Sequence, residues 1–361
     1  MSLIKVKSRG TDNVSGRRNL IINGAMQVAQ RGTTLSSNGY LLDRFKVDAA
    51  GFSFTQTQQS LTSGSPYDEG FRHFLRAANT SVSSGTTDYM HMYHYIEAQN
   101  LAKSGWNYTS TASKITLSFW VRSSLAGTYY INLRTQHGTQ QNYTSPFTLV
   151  ADTWKKVSFV LPGNSNITIN SDVTAGLFLG VLPHYGTHYT TSSFTNNQWG
   201  TYSNTNITPD FVQNWGNTAN ATFDITGIQM EVGDSASDFE HLSFGEELAL
   251  CQRYYHQANF TAGPHYGGGA LALYAFNATE AGGTTTFPVT MRAAPTVRIK
   301  DAAGNIGGIH RAAVGNVTSG VAIGWAGNAD ANAKGISQVY KTNAWATGNM
   351  LIGGYEAVAE L

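Results

Sequence analysis

Cysteine, charge and long apolar runs are all scarce in this sequence. One cysteine, Cys251, among 361 residues excludes an intrachain disulfide framework and any zinc site built on several thiolates. Charged side chains make up 12% of the chain, about half the roughly 25% of an ordinary soluble domain. The 23 basic and 22 acidic residues leave a net charge of +1. Gripping a nucleic-acid backbone takes a surplus of Lys and Arg, which this chain lacks. The longest apolar run, Ala175 to Leu182, falls far short of the ~18 residues a membrane-spanning helix needs. Met1 to Gly10 has basic residues with no apolar stretch behind them, so it does not read as a secretory signal. Asn-x-Ser/Thr triplets, as at Asn107 and Asn166, follow from a chain rich in these residues and do not mark glycosylation.

What the chain does have is glycine, 38 residues, and aromatics, 12%. Disordered chains are poor in aromatics, so a folded protein is expected, and the length suits about two domains. Ile115, Leu117, Phe119 and Val121 alternate with Thr116, Ser118 and Trp120, the period of a half-buried strand. Trp154 to Leu161 carries a second such pattern. Gly176 to Leu182 is apolar throughout, as in a strand covered on both faces. Alternation at Phe223 and Ile225 resumes one residue out of step at Ile228, Met230 and Val232. A bulge at Gly227 accounts for the slip. Phe244 to Tyr255 breaks the β pattern with helical spacing, and Glu246 and Glu247 sit where the helix dipole favours acids. Beyond it, strands are expected near Ala270–Phe276, Thr285–Thr290 and Thr296–Ile299. The reading is all-β: residues 19–243 form a first domain, 244–258 a linking helix and 259–361 a smaller C-terminal β domain. Residues 1–18 read as an arm.

From Asn19 onward the chain resembles phage tail fibres and receptor-binding tail proteins. The resemblance is carried by Asn19 to Met26 (NLIINGAM), Gln30 to Gly32 (QRG), Asp43 to Phe45 (DRF), Ile115 to Arg122 (ITLSFWVR) and Thr153 to Val157 (TWKKV). Phe223 to Glu231 (FDITGIQME), Phe239 to His241 (FEH), Glu247 to Tyr255 (ELALCQRYY), Phe287 to Val297 (FPVTMRAAPTV) and Val358 to Leu361 (VAEL) complete it in order. It implies that the first domain is a jelly-roll β-sandwich similar to carbohydrate-binding modules. It further implies a structural virion protein, a homotrimer that contacts host surface polysaccharide. On that reading the chain is made in the host cytoplasm, and the arm attaches to other virion proteins through Lys5, Lys7, Arg9, Arg17 and Arg18. A head fibre or capsid decoration protein built from the same modules is the alternative.

Binding a sugar takes flat rings that stack on pyranose faces, with amides and hydroxyls around them. His184, Tyr185, His188 and Tyr189 in one loop offer that mixture, as do Asn197, Gln198, Trp199 and Tyr202 in the next, with Trp215 following. The plainer reading is that these rings cap the sandwich or fill subunit contacts. His91, His94 and Glu97 have an apparent metal spacing, but on a strand His91 and His94 point to opposite faces. No cofactor is expected. Calcium would find its nearest carboxylates at Asp43 and Asp224, where an Asp satisfying backbone amides is the plainer reading. Catalysis is not expected: carboxylates are sparse, no hydrolase motif is present, and no 20–50-residue repeat marks the β-helix of a depolymerase. Cys251 among Leu248, Leu250 and Tyr254 reads as a small buried hydrophobe.

Overall fold

The computed structural model describes residues 17–82, 85–259, 271–277, 280–301, 303–311, 315–317, 321–323, 331–341 and 350–361. The chain divides into two compact units between Phe244 and Gly245. In the first unit the strands are β1 Thr34–Leu35, β2 Gly39–Tyr40, β3 Lys46–Ala50, β4 Phe54–Ser60, β5 His73–Asn79, β6 Tyr89–Glu97 and β7 Lys114–Ser123. They continue as β8 Gly127–Thr135, β9 Gln141–Leu149, β10 Lys155–Pro162, β11 Ala175–Tyr185, β12 Trp199–Thr201 and β13 Thr222–Val232. One sheet runs β1-β4-β5-β13-β7-β10 and the other β12-β9-β8-β11-β6-β3-β2. Their pairings are antiparallel and the chain crosses repeatedly between sheets, which makes the unit a jelly-roll sandwich.

The alternating residues explain why these segments are strands. Leu117, Phe119 and Val121 from one sheet meet Ile131, Leu133, Leu177, Leu179 and Val181 from the other in a single core. Each such side chain contributes about 1.5–3 kcal/mol when fully buried. The slip in β13 is a bulge: pairing passes from Thr226 opposite Trp120 to Gln229 opposite Ser118. Gly227 there has φ +64°, and a Cβ on it would lie 2.6 Å from the Phe71 ring.

Residues of five of the motifs, Asn19–Met26, Gln30–Gly32, Asp43–Phe45, Phe223–Glu231 and Phe239–His241, are joined by hydrogen bonds at one corner of the first unit. The Asn19 side chain accepts from the Ile21 and Met230 amides and donates to the Ile228 carbonyl. Asn23 donates to the Val28 and Asp43 carbonyls. The Asn19 amide donates to Glu240, and the Glu240 amide donates to Gln229. Asp43 accepts from the Gln30 amide and side chain at 2.8 and 2.7 Å, with Arg31 at 3.7 Å. Asp224 lies between Arg76 and Arg122, with contacts of 2.7–2.9 Å. Both calcium candidates therefore face donors and positive charge in place of an open site. Among the described residues no group of three His, Cys, Asp or Glu is placed to hold a metal ion.

Lys5, Lys7 and Arg9 lie outside the described residues. Arg17 and Arg18, expected on the arm, bond to the jelly roll itself: Arg17 to the Leu20 carbonyl, Arg18 to the Asp238 carbonyl and to Glu231 at 3.5 Å.

The helix Phe244–Gln252 opens the second unit, its first residue being the last of the first, and buries Cys251. It stops short of the expected Tyr255 because Tyr255–Ala258 pairs as a strand with Met350–Val358. Leu271–Ala275 and Thr296–Lys300 pair with the same long strand. The strand expected at 285–290 lies earlier, at Glu280–Thr286, since Pro288 has no N–H for a ladder. Leu271, Leu273, Met291, Ile299 and Tyr355 form this unit's own core.

Candidate functional site

Strand β6 sorts its residues by chemistry. Met90, Met92 and Ile96 enter the core, so Tyr89, His91, Tyr93 and Tyr95 stand on the opposite face. Register across the sheet then sets Phe178 of β11 beside Tyr95 and Arg134 of β8 beside Phe178. Gly180 falls between Tyr93 and Asn132. Its missing side chain leaves room for the Phe178 ring, since a Cβ there would lie 2.7 Å from Cε1. Phe178 consequently sits 5.1 Å from Tyr93, 5.6 Å from Tyr95 and 5.8 Å from His91, centroid to centroid. Tyr185 at the end of β11, and Tyr189, Tyr202 and Ile207 from the loops beyond it, wall off a cavity of about 300 Å³. Asp48, Asn132 and Arg134 bring polar groups to it. The Arg134 guanidinium lies over two rings, 5.1 Å from Phe178 and 4.5 Å from Tyr202.

The histidine of this floor is uncharged. Burial, with the cations Arg134 and Lys46 nearby, lowers the His91 pKa to about 3, and its Nδ1 lies 2.8 Å from the Tyr185 hydroxyl. Burial raises the phenols of Tyr93 and Tyr185, keeping them protonated. Asp48 lies 3.5 Å from Lys46. The site thus offers flat rings, neutral hydroxyl and amide groups and one stacked cation.

Of the nine residues expected to meet a sugar, Tyr185, Tyr189 and Tyr202 line this cavity. His188 is exposed beside it, its ring 4.9 Å from Tyr189. His184 faces a neighbouring recess of about 250 Å³ with Asp210, Phe211 and Gln213, and packs 6.2 Å from Phe52. Asn197 and Gln198 are exposed in the turn before β12. Asn197 adopts φ +63° and accepts from Ser145, a structural role. The two tryptophans, expected to meet a ligand, are buried. Trp215 is 0% exposed and donates to the Thr222 carbonyl. Trp199 is 8% exposed, packs on Tyr143 and donates to the Pro162 carbonyl at 2.7 Å. Their polar flanks are loop ends folded over the sandwich, and the rings close its core. His91 and His94 do point to opposite faces: His94 packs 5.1 Å from Phe45 inside the unit.

Tyr89, Tyr93, Tyr95, Phe178 and Arg134 are absent from the sequence candidates, and His91 appears there only for its apparent metal spacing. The signal for the four β6 residues is the phase of that strand, with rings at every odd position from 89 to 95; Phe178 and Arg134 come from β11 and β8 through sheet register.

No protein-family model and no curated protein matches this chain. Similar solved structures include a CBM4 module, 8% identical over 58% of this chain and 98% of that one, TM-score 0.30. Another is the N-terminal cellulose-binding domain of Cellulomonas fimi β-1,4-glucanase C, 8% identical over 57% and 97%, TM-score 0.29. A third is a family 16 carbohydrate-binding module, 11% identical over 59% and 99%, TM-score 0.26. The jelly roll itself rests on the strand order described above.

Proposed function

We propose that this chain is a non-enzymatic glycan-binding protein that takes a saccharide into the aromatic cavity on the outer face of the seven-stranded sheet. The observation carrying this reading is the lining: Tyr89, Tyr93, Tyr95, Phe178 and Tyr202 set ring surfaces around Asn132 and Arg134 in one recess. A pyranose has the complementary surface, apolar C–H faces edged by hydroxyls. A binding role fits the acid content. Among the described residues Asp48 is the one carboxylate lining the cavity, whereas glycoside hydrolysis takes two, roughly 5–9.5 Å apart.

The finer reading is a phage tail fibre, located in the virion, made in host cytoplasm and working without a cofactor. The ordered motifs from Asn19 to Leu361 support it. As a homotrimer it would multiply weak single sites by avidity, with the segment before Arg17 meeting other virion proteins. Location in the intact particle by electron microscopy separates it from a head fibre, and sedimentation mass tests the trimer.

The binding site is tested on a glycan array with Tyr95→Ala and Tyr202→Ala. The expected result is binding by the natural chain and at least a tenfold loss in each variant, with circular dichroism unchanged. Binding that survives both changes refutes this cavity as the site.

A further inference from the structure

We infer that the cavity selects an acidic saccharide, its carboxylate received by Arg134. This rests on the glycan-binding reading above. The argument starts from how the jelly roll uses its arginines. Arg17, Arg44 and Arg72 donate to backbone carbonyls. Arg18 and Arg31 approach Glu231 and Asp43, and Arg76 and Arg122 share Asp224. Arg134 differs from all of these. Among the described residues its guanidinium has no carboxylate and no carbonyl acceptor, and its Nε, like those of Arg18 and Arg44, is buried without a hydrogen-bond partner.

The Arg134 Nε is closed off beneath the rings, while its terminal nitrogens, which have no acceptor among the described residues, are left to donate to a ligand in the cavity. Here the group packs on both Phe178 and Tyr202, 5.1 and 4.5 Å from their ring centres, which restricts its movement before a ligand arrives. Such a flat, oriented fork suits a carboxylate, which accepts two parallel N–H bonds. The surrounding charge does not compete. Asp48 is engaged with Lys46, and His91 on the floor is neutral. With Lys46 set against Asp48, Arg134 is the cation of the lining that has no carboxylate beside it. Tyr202 lies directly over the guanidinium, so a sugar stacked beside that ring would carry its carboxylate to Arg134.

The test uses the full-length protein with immobilised polygalacturonate, alginate, hyaluronan and polysialic acid. Each is presented beside its carboxyl-reduced form, in which the acid has become a primary alcohol on an otherwise unchanged sugar. Neutral glucans and xylans complete the panel. At least one acidic polymer is expected to bind, and to bind at least tenfold more weakly after reduction or in 0.5 M salt. Arg134→Gln is expected to remove that preference, and Arg134→Lys to keep part of it. Equal binding of acidic and reduced forms, or binding of neutral glycans alone, overturns the acidic preference and leaves the glycan site standing. Binding to no glycan in the panel overturns both. Because reduction alters the ligand alone, the result does not depend on how an Arg134 variant folds.

Discussion

Replacing Asp224 by asparagine removes one negative charge from between two arginines and little else. The carboxylate is 1% exposed. It accepts from Arg76 Nε and a terminal nitrogen at 2.8 and 2.9 Å, and from Arg122 Nε and a terminal nitrogen at 2.9 and 2.7 Å. Asparagine keeps the shape and one acceptor oxygen, but turns an N–H₂ group toward a guanidinium. Losing one partner of a buried ion pair costs about 3–5 kcal/mol. The two arginine side chains are 30% and 25% exposed and regain some hydration, which places the effect near the lower end, about 3 kcal/mol. For a unit of this size that lowers the jelly-roll transition by roughly 6–12 °C. Differential scanning calorimetry, with urea unfolding as a second measure, reads the change. A loss below about 1 kcal/mol would refute the view that these bonds hold the sheet. The same instrument settles the calcium question: a chelator is expected to leave the transition of the natural protein in place, and a chelator-induced drop would mean that a cation sits on a carboxylate.

Three other outcomes follow from the geometry. Trp215→Ala should destabilise the unit by about 3–5 kcal/mol, as expected for a large ring removed from a packed core, and a stable variant that merely loses glycan binding would restore Trp215 as a ligand platform. Gly180→Ala should push the Phe178 ring out of its seat and weaken glycan binding severalfold while the strand pairing persists, and unchanged affinity would show that Phe178 is not part of the floor. His91 has a folded pKa far below that of the unfolded chain, so below pH ~6.5 the unfolded state takes up a proton that the folded state refuses. Stability should fall as pH drops from ~6.5 toward 3, by up to about 1.4 kcal/mol per pH unit for this group, with His94 acting in the same direction. His91→Gln should flatten that slope, and an NMR titration of His91 near pH 6.5 would contradict it.

The alternation in β7 and β13 was readable because one phase is apolar and the other polar, and the out-of-step resumption at Ile228 located the bulge. In β6 the same reasoning had less to work on. Tyr-Met-His-Met-Tyr-His-Tyr is large and partly apolar in both phases, so choosing the core face depends on which strands pair beside it. Arg134 and Phe178 meet through a register spanning more than forty residues, which no local pattern encodes. Trp199 and Trp215 misled for a related reason: polar neighbours describe the loop around a tryptophan but not the sheet it folds against. The motif residues, by contrast, were visible at once, and most of those at the corner turn out to bond to one another, which identifies them with holding the fold and not with meeting a ligand.

That corner has a mechanical consequence. Arg18 reaches the Asp238 carbonyl, the Asn19 amide reaches Glu240, and the Leu20 amide reaches the Met230 carbonyl, so the places where the chain enters and leaves the jelly roll are joined directly. A pull applied at those two ends is met first by these bonds, which shield the strands behind them. The aromatic recess lies on the other sheet, whose strands make none of these bridging bonds.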